Sequence, residues 1–279
     1  MRRVAVDRAI TIVERLGIAL VYPIDNEAEP RSLWSELYPG RRMEWSWDAG
    51  ADPRVAEVWH LRERLARSHD VAYAKWFRGR ATFFALPVFH ALLGRMAAAG
   101  DVFAGLPREA RVLLDLLRER SPLSTKELRA LADLRGKEHE ALFTRAMKAL
   151  WTRLLVVGTG EVEDGAFPSL AVGATELLFE DLVAAARAGV PAPAAAKLDA
   201  VLARCPAYAR ELDRALAEIA APPRERTSGA PKTAAAPPRK SAAAEGSRER
   251  PRPARGRAPR AGEVPFSEPT PSEVFKGDR

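Results

Sequence analysis

Glu44, Trp45, Trp47 and Asp48 set two carboxylates and two indole rings into one short stretch. A pocket for an extruded nucleobase uses those residue types, the rings to stack on the base and a carboxylate as general base for water. Lys75, Arg78 and Arg80 follow as a cationic run able to contact phosphates. The competing reading is structural: both tryptophans cap a core, the carboxylates pair with Arg41, Arg42, Arg78 or Arg80, and the cations sit at a solvated helix end. A second group comes later in the chain. Ser124, Thr125 and Lys126 stand at a predicted helix start, where unpaired backbone N–H groups attract a phosphate, and Arg145, Lys148 and Thr152 share one side of the next long helix.

Other chemistry finds little support in the residues. Glu57 and His60 have the Glu-x-x-His spacing of paired metal ligands, but one copy occurs where bundle sites need two and further glutamates. His69 beside Asp70 has the form of a base with its orienter, yet no nucleophile in a strained turn accompanies it. Gly158-Thr159-Gly160 opens like a dinucleotide loop, but Glu163 stands where the third glycine belongs and a hairpin replaces the required helix. One cysteine, Cys205, gives neither an internal disulfide nor a cysteine-rich zinc site. No metal and no cofactor is expected.

Three helices and a hairpin must position the second group. Pro107 to Arg120 carries Val112, Leu113, Leu116 and Leu117 at helical spacing, and Pro122 ends that run. Ser124 with Glu127 forms a capping box for a short helix over 125–133, and a turn at Gly136 leads to a third helix over 137–153. Phe143, Met147, Leu150 and Leu154 give that helix a dry side, which turns Arg145, Lys148 and Thr152 outward. An apolar run at 154–157, a turn-rich stretch over 158–165 and a partner strand over 166–172 complete a winged-helix pattern. Such a module sets its basic helix in a major groove of double-stranded DNA, or serves protein contacts instead. Glu161, Glu163 and Asp164 in the wing would repel a phosphate backbone.

The first hundred residues predict helices over 6–16, 33–38, 53–67, 69–77 and 87–98, with short strands over 18–22 and 81–86. After the wing, alanine-rich helices are expected over 176–187, 194–203 and 207–220, the last two packing on the module or, as a homodimer, on a second subunit. From Pro222 the chain loses apolar periodicity and predicts a disordered tail. Its arginine-dense run, with Arg252, Arg255 and Arg257, either lies along phosphates or only solubilises. Residues 222–279 hold 13 Lys and Arg against 7 Asp and Glu, so they carry +6 of the net +7 and leave +1 to the rest. The folded part therefore has no general basic field, and a groove contact needs a local patch. Without an apolar stretch of signal or membrane length, a soluble, cytoplasmic protein is expected.

Several short motifs carry a family likeness. Val21-Tyr22-Pro23-Ile24, Ser32-Leu33-Trp34, Trp45 and Trp47, Tyr73-Ala74-Lys75, Arg78, Arg80 and Thr82-Phe83-Phe84 together resemble a bacterial winged-helix group akin to the DNA glycosylases of the AlkZ type. The likeness spans roughly residues 5 to 180, and Leu123 to Val157 has the corresponding helix-and-wing layout. It implies a DNA-binding architecture. Those glycosylases excise alkylated or crosslinked bases with a Gln-x-Gln or Gln-x-Asp motif on a β-hairpin. The chain contains no glutamine, so that chemistry does not transfer; Glu161-Val162-Glu163 occupies a hairpin-like place without the side chains.

The expected fold is mainly α with short β-strands, an α+β chain. Its divisions are a mixed N-terminal domain (1–105), a winged helix-turn-helix (106–172), a helical extension (173–221) and a basic tail (222–279). The expected function is non-catalytic DNA binding in regulation or DNA maintenance. Two alternatives stay open: a divergent glycosylase using Trp45 or Trp47 with Glu44 or Asp48, and a protein-interaction module.

Overall fold

Gly17, at φ +81°, stops helix α1 (Arg2–Leu16) and turns the chain directly into strand β1 (Ile18–Leu20). The computed structural model describes residues 2–46, 51–164 and 168–221; Trp47, Asp48, Arg252, Arg255, Arg257 and the rest of the 222–279 tail lie outside the described residues. Ser32 caps α2 (Leu33–Leu37) by accepting from the Ser35 backbone N–H, and Asp52 caps α3 (Pro53–Ser68) by accepting from that of Arg54. The helix expected over 69–77 is instead strand β2 (Val71–Ala74), followed by a 3-10 turn at Phe77–Gly79. All four β2 residues are buried, so the run lacks the in-out alternation that marks a strand. β2 and β1 both pair antiparallel with β3 (Thr82–Ala85), in the order β1-β3-β2, and α4 (Leu86–Ala99) follows.

The second sheet belongs to the segment that holds the basic helix. α5 (Arg108–Arg120) leads through β4 (Leu123–Ser124) into α6 (Thr125–Leu131), and a 3-10 turn at Lys137–His139 enters α7 (Glu140–Thr152). Strands β5 (Val156–Val162) and β6 (Ser169–Ala174) form a hairpin, and β4 joins the far edge of β6, giving the order β4-β6-β5. β5 is longer than expected, since Gly158 and Gly160 lie within it and not in a turn, and β6 runs past its expected end at Val172 to Ala174. Leu154, at φ +52°, takes the left-handed position after α7 that glycine usually fills. The Leu155 backbone N–H donates back to the Leu150 carbonyl at 3.0 Å and closes the helix.

One apolar core runs through these elements, from Ala9 in α1 to Ile219 near the end of the described chain. α8 (Thr175–Leu178) and α9 (Glu180–Ala188) replace the single helix expected over 176–187, and α9 packs on α4. α10 (Ala192–Arg204) and α11 (Pro206–Ala220) also lie on α4, within the same chain. The hairpin is not a free-standing projection, because α3 and β2 pack along β5. Gly158 permits that approach: a Cβ there would overlap the Tyr73 ring. Gly158→Ala is therefore expected to destabilise the protein by about 1–3 kcal/mol through overpacking. An unchanged urea midpoint would show that the contact yields without cost.

Candidate nucleic-acid interface

The 3.6-residue repeat of α7 sorts its side chains as its apolar spacing requires over most of its length. Phe143, Ala146, Met147 and Leu150 are buried, while Arg145 and Lys148 are exposed. Thr152 departs from the expected outward side: its exposure is 6%. Every residue from Leu150 to Leu154 is buried, because the last turn of the helix enters the core and no solvent side remains there. Thr152 therefore does not share a surface with the two cations.

The helix N-terminus expected to receive a phosphate holds a carboxylate of the same chain. Ser124 caps α6 by accepting from the Glu127 N–H at 3.1 Å, and the Glu127 carboxylate accepts from the Ser124 N–H at 3.0 Å. Asp164, beyond the end of β5, reaches into this corner. It accepts from Lys126 Nζ at 2.8 Å and from Ser169 Oγ at 2.6 Å, and Ser124 hydrogen-bonds to it as well. Burial raises the Asp164 pKa, but these three donors outweigh it and hold the carboxyl at about 2. Ser124 is buried, Thr125 half-buried and Lys126 exposed, so of the three only Lys126 combines charge with access.

Beside this corner opens a groove of about 600 Å³ that sequence spacing does not reveal. Arg120, Lys126, Arg129 and Arg135 border it, together with Glu127 and Asp164. Arg129 pairs with Glu140 and lies 4.0 Å above the Phe143 ring, tying the groove to the start of α7. Among the described residues Arg120 and Arg135 have no acidic partner within ion-pair distance. The four cations come from α5, α6 and the connection to α7, so no periodicity within one element could have grouped them. The hairpin acids are largely neutralised: Glu161 accepts from Arg62 at 2.5 Å, Asp164 is held as above, and Glu163 is exposed.

Of the residues proposed for base handling, Trp47 and Asp48 lie outside the described residues. Trp45 is half-buried, with its ring edge-on to Tyr22 at 4.9 Å, and Glu44 is exposed. Lys75 and Arg80 are half-buried, and Arg78 is exposed in a left-handed conformation with its guanidinium over Phe77. Glu57 accepts a hydrogen bond from Tyr38 at 2.8 Å, and no cluster of three metal-binding side chains occurs among the described residues. No described helix is long and apolar enough to cross a membrane.

Fold and surface define an α+β protein that presents cations from a three-helix segment backed by a small sheet. The chain belongs to the AlkZ-related family, whose pattern matches residues 4–211. No curated protein and no solved structure matches it.

Asp164 titrates lower in the folded chain than its ordinary 3.8, so its ionised form adds stability that is complete above that value and fades as pH falls through about 2. The stability difference between the protein and Asp164→Asn should be constant above about pH 5 and shrink below about pH 3. Urea unfolding at stepped pH measures it; a difference unchanged down to about pH 2 would remove the charge from the explanation.

Proposed function

We propose that residues 106–172 form a winged helix-turn-helix that binds double-stranded DNA, in a non-catalytic role in regulation or DNA maintenance. The order α5, β4, α6, α7, β5, β6, with β6 between its two partners, supports the winged-helix assignment. Residues 1–105 and 173–221 then serve as the flanking N-terminal domain and helical extension. The observation that carries the DNA reading is the exposure of Arg145 and Lys148 on α7, the helix reached from the arginine groove through Arg129. Neither cation is covered by α10 or α11. Membership of the AlkZ-related family points the same way.

In this reading Arg145 and Lys148 approach the groove of the duplex, while Arg120, Lys126 and Arg135 meet phosphates along its edge. Ser124 and Thr125 act indirectly, by fixing the start of α6. The tail cations Arg252, Arg255 and Arg257 add sequence-independent affinity through counterion release. The apolar sides of α10 and α11 lie against α4, so a homodimer built on those helices would use their exposed faces.

Fluorescence anisotropy of the full chain on duplex DNA at low salt tests this. Arg145→Ala with Lys148→Ala is expected to weaken binding and to reduce the slope of log K against log salt by about two. Unchanged affinity and slope would move the interface elsewhere, and no binding by the parent protein would favour a protein-contact module.

Family membership also favours a second reading, a divergent glycosylase that stacks an extruded base on Trp45 or Trp47 and positions water with Glu44 or Asp48. Release of free base from alkylated duplex DNA is its direct readout. The non-catalytic proposal expects no release; release that is lost in Glu44→Gln or Asp48→Asn would replace it.

A further inference from the structure

Arg153, at the C-terminal end of α7, is a buried cation that DNA binding does not use; its exposure is 6%. Its Nη1 donates to the Val102 carbonyl at 2.9 Å and to the Ala104 carbonyl at 2.5 Å. Among the described residues no carboxylate lies within ion-pair distance of it. Burial lowers its pKa, with Glu218 and Asp101 opposing from farther away. A guanidinium so far out of water is ordinarily matched by an anion.

Arg153 borders a partly open cavity of about 60 Å³ lined by α4, α5, α8, α9 and the residues just after α7. Leu93, Phe103, Leu114 and Val183 supply apolar walls. Glu176 also lines it, but this carboxylate already pairs with Arg118 and, at 3.9 Å, with Arg187. We propose that the cavity binds a short aliphatic monocarboxylate, with the head group on the Arg153 guanidinium and the tail against Leu93, Leu114 and Val183. Guanidinium donors form a planar fork suited to two parallel bonds to a carboxylate, and the carbonyls of Val102 and Ala104 take only Nη1. Among the described residues its Nε and Nη2 make no hydrogen bond. A cavity of about 60 Å³ takes only a short tail. Inorganic phosphate would lack contact with the apolar walls, and an alkylamine would bring a second cation to Arg153.

Isothermal titration of the full chain with butyrate, butylamine and inorganic phosphate tests the site. Saturable binding of butyrate alone is expected, weakened about tenfold or more in Arg153→Met by loss of the charge-assisted pair. Val183→Phe should also abolish it, by filling the cavity while keeping the guanidinium. If Arg153→Met does not fold, Val183→Phe decides. Absence of butyrate binding, equal binding of butylamine or phosphate, or undiminished binding in Val183→Phe would overturn the proposal.

Discussion

Between the two sheets Arg62 sits almost wholly out of water, donating to Glu161 on β5 at 2.5 Å and to the Tyr73 hydroxyl on β2 at 3.2 Å. Its guanidinium lies 4.1 Å from the Trp59 ring centre. Burial opposes its charge, but Tyr73 and Glu161 outweigh the penalty and hold its pKa above the ordinary arginine value. A buried pair of this kind adds little net stability over an apolar substitute, yet losing one partner strands a charge and costs several kcal/mol. The contact therefore constrains geometry more than it stabilises. It fixes the hairpin against α3 in one register, reinforced by Arg67, which donates to the Glu161 carbonyl at 2.5 Å.

That register determines which charges face solvent. β5 carries a bulge between Gly158 and Gly160, and beyond it Glu161 meets α3 instead of extending into water. Asp164 is drawn in the same way to Lys126, Ser124 and Ser169. With these two acids held inside the chain, a nearly neutral folded part still offers a local basic surface at Arg120, Arg135 and Arg145.

Much of the helical architecture was legible because its signals are local. The capping box at Ser124 and Glu127, Asp52 before Pro53, Gly17 after α1 and the apolar spacing of α7 each act within about one helical turn. β2 was misread as helix because a short, fully buried strand has no polar side. The outward position given to Thr152 failed for a related reason: spacing assigns a side of the helix but not whether its final turn ends in water or in the core.

The residues themselves determined most helix starts and stops, the location of the excess charge in the last 58 positions and the lack of any glutamine for a Gln-based site. Tertiary structure alone decided that Arg62 and Glu161, 99 positions apart, become partners. It also gathered Arg120, Arg129 and Arg135 around one groove and set Asp164 where a phosphate was expected. Local signals work through backbone geometry a few residues away, whereas ion pairing and burial depend on distances that exist only after the sheets and helices have packed.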